Sequence, residues 1–136
     1  MLDKIKKAFE KKLATMTPAI STAYESVSFT PVSGVPYQRV QIAPGTPENT
    51  VLASGFYREK GEFQIFLMYP TNQGTGAALA RAQLVRNTFK RGTNLVEGDL
   101  TILIFRTPTI AGTQALGDRL VVPIIIQYTC DVQGEI

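Results

Sequence analysis

Apolar residues near the N-terminus recur at steps of three and four, which is the spacing of one face of an α-helix. The recurring positions are Leu2, Ile5, Phe9, Leu13 and Met16. Lysines fill five of the ten positions between them, and Thr17-Pro18 ends the pattern because proline does not continue a helix. The pattern predicts an amphipathic helix over Leu2 to Met16. Its apolar stripe either packs on the domain's own sheet, which the stripe's ordinary width favours, or lies on a membrane or in a partner's groove.

Runs rich in β-forming residues follow, separated by Gly and Pro. The predicted strands are Ala19 to Thr30, Val35 to Ala43, Val51 to Arg58, Leu100 to Arg106 and Arg119 to Asp131. Within "GFYREKGEFQIFLMYP", we interpret Glu59-Lys60-Gly61 as a hairpin turn, with Gly61 where a positive φ is needed. Pro123 predicts a sheet edge or a bulge, because proline donates no ladder hydrogen bond. We interpret Thr107 to Asp118 as a loop that is too long for a tight hairpin.

A second helix is predicted over "AALARAQLVRNTF", directly after the turn "TNQGTG". At 100° per residue Ala78, Ala82, Val85 and Phe89 share one face, which is predicted to be core. Arg81 falls inside this apolar arc, where an unpaired guanidinium is costly to bury. Two interpretations stay open: the side chain snorkels to solvent, or a carboxylate across a subunit boundary holds it.

The turn before this helix supplies Gly74 and Gly76, two of the three glycines of a dinucleotide-binding fingerprint. Leu79 stands where the third small residue belongs, and Glu97 and Asp99 precede the next predicted strand, whereas the fingerprint needs an acidic residue at the end of that strand. No Gly-Lys-Ser/Thr follows either, so a Walker-type phosphate loop is absent. The turn therefore gives little support to nucleotide binding.

The order of the elements is helix, strands, helix, two strands. This order predicts an α+β fold with a mixed, mainly antiparallel sheet and both helices packed on one face. The 136 residues, of which 44% are hydrophobic, fit a single domain over 1–136. No apolar run reaches the roughly 18 residues that a membrane-spanning helix needs, and no secretory signal is visible. We expect synthesis and function in a cytoplasm, without a membrane partner.

The composition argues against catalysis. Histidine is absent, which removes Ser-His and Cys-His nucleophile systems and His-based metal sites. The carboxylates show no spacing that predicts an acid and base pair, so we expect no enzyme, no cofactor and no metal site. The single Cys130 is interpreted as a buried, inert thiol in preference to a reactive one. The net charge of +3 fits weak contact with an acidic partner, and Tyr37-Gln38-Arg39 only faintly resembles a nucleic-acid-binding pattern.

The central block resembles the tail terminator, or tail completion, proteins of long-tailed bacteriophages and prophages. The block consists of "GFYREKGEFQIFLMYP", the loop "TNQGTG", the helix ending in "KRG", and two strands of which the last is "RLVVPIIIQY". The resemblance implies a small α/β sandwich that works as a ring, usually of six copies, on the finished tail tube. The ring ends tube polymerisation and offers a surface to the head and neck. It also implies a virion tail component that is assembled in the host cytoplasm.

The partners implied are the protein itself, the tail tube protein and a head or neck completion protein. The free protein can be monomeric before assembly, and DNA only passes through the lumen of the ring. On this interpretation Ala43 to Thr50 and Thr107 to Asp118 are candidate contact loops. The candidate interface residues are Arg58, Arg81, Arg86, Thr109, Gly112, Gln114, Pro44 and Glu48. The alternatives are a head-tail joining protein of the neck and, more distantly, a small nucleotide- or nucleic-acid-binding domain.

Overall fold

The computed structural model describes residues 1–49 and 55–133, in which two helices lie beside one mixed sheet. The helices are α1 (Leu2–Ala14) and α2 (Gly76–Thr88). The strands are β1 (Ser21–Ala23), β2 (Tyr37–Pro44), β3 (Phe56–Pro70), β4 (Asn94–Glu97), β5 (Leu100–Ile104), β6 (Thr109–Ile110), β7 (Gln114–Leu116) and β8 (Arg119–Gln133). The sheet runs in the order β1-β2-β3-β8-β5-β4, and β6 and β7 also pair with β8. Only the β1–β2 pair is parallel among the described strands, so the predicted α+β class is confirmed.

The two helices pack on the same face of the sheet and bury its core. Phe9 of α1 stacks on Phe63 of β3, with ring centroids 4.7 Å apart, and its ring centroid lies 5.8 Å from that of Phe89. The apolar stripe of α1 is buried together with the inward residues of β3 and β8, so packing on its own sheet is confirmed. Cys130 is buried in this core, and burial raises the pKa of its thiol. Neither helix is long and apolar enough to cross a membrane.

The predicted hairpin turn at Glu59-Lys60-Gly61 is wrong, because β3 is one continuous strand of 15 residues. It pairs with β8 without a break from Phe56, opposite Gln133, to Pro70, opposite Arg119. Gly61 lies in mid-strand and its φ is not positive. A Cβ at Gly61 would lie 2.7 Å from the Tyr128 hydroxyl and 2.7 Å from the Ala43 carbonyl oxygen. The glycine is therefore explained by close packing and not by a turn.

Several strand boundaries differ from the prediction. Of Ala19 to Thr30, only Ser21–Ala23 is a strand, and the chain then bends at Ser26, which has a positive φ of 57°. Residues 51–54 of the strand predicted from Val51 lie outside the described residues, as does Thr50 of the first candidate loop. The strand β4 was not predicted, and the strand predicted to reach Arg106 ends at Ile104.

Thr107 to Asp118 is more regular than the long loop predicted for it. It contains β6 and β7, and β7 joins β8 through the two-residue turn Gly117-Asp118. The prediction that no tight hairpin forms here is wrong. Gly117 has a positive φ of 60°, which a residue with a side chain rarely adopts, and this conformation closes the turn. A second Gly-Asp turn, Gly98-Asp99, joins β4 to β5 in the same way.

Pro123 does not lie on a sheet edge, because β8 runs between β3 and the shorter strands. The register of β6 and β7 against β8 shifts by one residue beside Pro123, so a bulge lies in the facing segment. The Pro123 carbonyl accepts a hydrogen bond from Ala111 N–H, at 2.9 Å, on this side. A residue's N–H and C=O point to the same side of a strand. The backbone N–H that Pro123 lacks would therefore point toward the bulge, where the ladder of hydrogen bonds is already interrupted.

Candidate functional site

The face of the sheet opposite the helices, here called the outer face, carries no helix in the described part of the chain. It presents mainly polar side chains from β2, β3 and β8: Arg39, Gln41, Glu62, Gln64, Gln127, Thr129 and Asp131. Gln41 Nε2 donates to Gln64 Oε1 at 2.5 Å, and the Arg39 guanidinium lies 5.1 Å from the centre of the Phe66 ring. A half-buried polar surface of this kind suits contact with another macromolecule.

Three of the predicted site residues meet where β3 begins. Arg58 donates from Nε to Asp131 Oδ1 at 2.7 Å and from Nη2 to Asp131 Oδ2 at 3.4 Å. Lys60 Nζ donates to Glu48 Oε1 at 2.6 Å, and the backbones of Glu48 and Arg58 exchange two hydrogen bonds of 2.8 Å. Pro44 lines a neighbouring groove of about 480 Å³. The segment around Glu48 is thus pinned to β3.

The electrostatics of this cluster follow from its ion pairs. The hydrogen bond from Lys60 lowers the pKa of Glu48, and the hydrogen bond to Asp131 raises the pKa of Arg58. Both pairs are substantially exposed, and ion pairs of this kind add little to stability. We therefore interpret them as positioning devices for a surface rather than as a major source of stability.

The other loop residues gather on the far side of β8. Arg86 Nε donates to the Pro108 carbonyl at 3.0 Å, which ties α2 to the entry of β6. Thr109 lies in β6, Gln114 lies in β7, and Gly112 lies between these two strands; all three are exposed. The candidate residues thus form two separate groups, with Arg81 apart from both.

Arg81 does not snorkel to solvent, because its side chain packs between α2, the end of α1 and β1. The residue is 5% exposed, and Nη1 donates to the Pro18 carbonyl. Nε and Nη2 are buried and have no hydrogen-bond partner among residues 1–49 and 55–133. Burial lowers the pKa of Arg81, while Tyr69 opposes the shift. Arginine nevertheless stays protonated at neutral pH, so this is a buried cation.

A cavity of about 210 Å³ lies beside Arg81, and its walls are part apolar and part polar. It is lined by Leu13, Ala14, Ala19, Ile20, Thr22, Tyr24, Gln38 and Arg81. Gln38 Nε2 donates to Thr22 Oγ1 at 2.9 Å, whereas Gln38 Oε1 is buried with no partner in the described ranges. The cavity therefore combines a cation with unused donors, one unused acceptor and partly apolar walls.

Arg119 is a structural arginine that the sequence did not reveal. It is 6% exposed, donates to the Val35 carbonyl at 2.6 Å and the Val32 carbonyl at 2.7 Å, and lies 5.0 Å from the centre of the Tyr37 ring. These two carbonyl partners are more than 80 residues away in sequence and a third, Met68 O, is 51 residues away, so no local motif marks it. It ties the 31–36 segment to the end of the sheet at which β8 begins.

Exposed apolar residues lie at both lateral edges of the sheet. Val96 and Leu103 lie on β4 and β5 at one edge, and Val96 is 68% exposed. Val27, which is 60% exposed, lines a groove with Ala23 of β1 and Arg39 of β2 at the other edge, and Val32, which is 63% exposed, lies in the segment that Arg119 holds. Two different patches on opposite edges suit head-to-tail contact between identical subunits better than a two-fold contact.

The geometry bears on two chemical possibilities, nucleotide binding and metal binding. Gly74 has a positive φ of 74°, so backbone conformation alone explains the glycine in the turn before α2. Within the described ranges, no three His, Cys, Asp or Glu residues come together as a metal site.

Comparison with known proteins relates this chain to one family. The chain matches the family model described as phage tail terminator protein over residues 4–128. Nine chains of solved structures match it. One of them is 25% identical, with a TM-score of 0.75 over 98% of this chain and 96% of that chain, and carries no functional description. No curated protein matches.

Proposed function

This chain belongs to the phage tail terminator family, and on that premise we propose that it caps the tail tube as a ring. The ring ends the addition of tube subunits and offers the attachment surface for the head or neck. A structural role in the phage tail follows from the family itself. The hexameric ring, its partners and assembly in the host cytoplasm belong to the proposal.

The observation that carries the ring is the pair of apolar patches on opposite edges of the sheet. A ring of identical subunits needs one surface that meets a different surface on the next copy. Val96 and Leu103 lie on β4 and β5 at one edge, and Val27 lies beside β1 at the opposite edge. Burial of such patches removes apolar area from water at about 25 cal/mol per Å². Joining the two edges supplies this driving force at every interface of a closed ring.

The outer face and the pinned Glu48 segment supply a second, polar surface. Once the edges are used between subunits, this surface stays available to the tube or the neck. Its charge pairs determine the orientation of a bound partner more than they determine the affinity, as charges at the rim of an interface do.

The ring is tested by the mass in solution, measured by light scattering for the protein alone and with purified tail tube subunits. We expect six copies per complex when tube is present, whether or not the free protein is monomeric. Val96→Asp, which puts a charge in an edge patch, should abolish the complex. Leu79→Asp on the exposed side of α2 is the matched control and should leave it intact. A persistent monomer with tube present, or equal effects of the two variants, would contradict the proposal.

Binding to neck components instead of tube would point to the neighbouring role of a head-tail joining protein. The same samples distinguish the two roles if head and neck particles are offered beside tubes.

A further inference from the structure

We propose that the Arg81 cavity is a carboxylate receptor and that Asp118 of an adjacent copy supplies the carboxylate. This rests on the ring of the proposed function and adds the chemistry of one of its contacts. It concerns a different part of the molecule from the Glu48 and Arg58 cluster.

The free atoms of Arg81 define what the cavity binds. Nε and Nη2 are the two nitrogens that lie on one side of a guanidinium, and both are buried without a partner in the described ranges. This edge presents two parallel N–H groups that match the two oxygens of a carboxylate. Arg58 uses the same two atoms to bind the two oxygens of Asp131. Arg81 therefore presents the same fork with its acceptor missing.

The energetics favour an occupant with a negative charge. A buried cation with unused donors loses its hydration without a compensating partner, which is costly. The Pro18 carbonyl satisfies only Nη1. A carboxylate would satisfy both remaining nitrogens and neutralise the charge. The walls from Leu13, Ala14 and Ile20 leave room for an apolar neighbour of that carboxylate.

The tip of the β7–β8 hairpin carries the complementary pair of side chains. Asp118 is exposed, and its carboxylate has no partner in the part of the chain that the structure describes. Leu116, two residues earlier, is 58% exposed. Other acidic side chains are already engaged, as Glu48 is by Lys60 and Glu97 is by Lys11. The tip thus offers an acidic and an apolar group together, as the cavity requires.

The positions of tip and cavity fit contact between copies. At this end of the sheet the strands run β1-β2-β3-β8-β7, with the cavity beside β1 and the tip at the end of β7. Four strand spacings of about 4.8 Å separate these edges by roughly 19 Å. Asp118 forms no ion pair with the Arg81 of its own chain, and its hairpin lies at the β7 edge, opposite the β1 edge. A contact from one edge to the opposite edge is the kind that closes into a ring.

The receptor chemistry can be tested on the isolated protein with sodium acetate as the probe. The Arg81 Nε–H resonance, assigned by its loss in Arg81→Lys, is followed by NMR during the titration. We expect a shift that saturates with acetate and is absent with sodium chloride at equal ionic strength. No saturable shift would overturn the carboxylate receptor.

The source of the carboxylate is tested by cross-linking between copies. Tyr24 lines the cavity and Asp118 forms the tip, so Tyr24→Cys and Asp118→Cys proteins are mixed with tail tube and oxidised. We expect disulfide-linked dimers in the mixture and not in either protein alone. Asp99→Cys is the matched control, because Gly98-Asp99 forms the same two-residue turn at the other hairpin. It should give no cross-link with Tyr24→Cys.

Two variants that each remove one negative charge complete the test without new cysteines. Asp118→Asn should weaken ring formation at least about tenfold, because it leaves the Arg81 cation unpaired in the interface, whereas Asp99→Asn should not. Rings that form without the Tyr24–Asp118 cross-link would overturn this contact and leave the ring standing. Absence of any ring would overturn the proposed function and the Asp118 contact together, and the acetate result would then judge the cavity alone.

Discussion

Replacement of Gly61 by alanine should destabilise the protein, although alanine is normally the better strand residue. A Cβ would lie 2.7 Å from the Ala43 carbonyl oxygen, 2.7 Å from the Tyr128 hydroxyl and 3.0 Å from the Gly45 amide nitrogen. Two of these three atoms belong to backbone, so strands must shift. Overpacking of this kind costs about 1–3 kcal/mol, and the entropy that alanine saves returns about 0.5–1 kcal/mol. The difference between these two ranges centres on a net loss of about 1 kcal/mol in the free energy of unfolding.

The measurement is urea denaturation followed by circular dichroism, with two companion variants. Gly112→Ala is the matched control, because no atom lies within 4 Å of the position that its methyl group would take, and its φ is not positive. It should change stability by less than about 0.5 kcal/mol. In a Tyr128→Phe background one of the 2.7 Å contacts disappears, so Gly61→Ala should cost less there. An unchanged or higher stability of Gly61→Ala would refute the packing argument, and equal costs in both backgrounds would remove the hydroxyl from it.

Three further outcomes follow from buried or paired groups. Burial raises the pKa of Tyr128 from 10.0 to about 12. The contribution of the neutral Tyr128 side chain to stability is therefore complete below pH 10 and should be lost as the pH rises toward 12. An alkaline titration followed by tyrosine absorbance would detect the raised pKa. The hydrogen bond from Lys11 lowers the pKa of Glu97 from 4.5. The contribution of Glu97 to stability is therefore complete above pH 4.5 and is lost as the pH falls through the lowered value. In Glu97→Gln, the free energy of unfolding should fall less steeply as the pH is lowered. Arg119→Lys should cost about 2–4 kcal/mol, because lysine lacks the fork that binds two carbonyls, and hydrogen exchange in 31–36 should rise.

The elements that local pattern determines could be predicted from the sequence. The three- and four-residue spacing located α1 and the buried face of α2 to within two residues at each end. Gly61 could not be interpreted correctly, because the reason for it is Tyr128 on a strand 67 residues later in the sequence. A glycine in a turn and a glycine packed against a tyrosine hydroxyl cannot be told apart in the sequence. The two Gly-Asp turns were missed although the dipeptide is a recognised hairpin signal.

The candidate site could be predicted only in part. Arg81 stood out because a cation interrupted an apolar helix face, and the structure confirms that it is buried. Arg58 is a candidate because of its charge and Glu48 because it lies in the Ala43 to Thr50 loop, and the structure brings them together through backbone hydrogen bonds that no spacing predicts. Their role in an interface stays a prediction, as does that of Arg86, Thr109, Gly112, Gln114 and Pro44. The Arg119 anchor depends on long-range contacts and has no local signal.

Electron microscopy of tube lengths is the direct test of whether this protein ends tube growth. Purified tail tube subunits are polymerised with and without the protein, and the length distribution is followed over time. We predict that tubes stop growing when the protein is added and that a ring-shaped density lies on one end. Tubes that keep lengthening at the same rate, with bare ends, would contradict it.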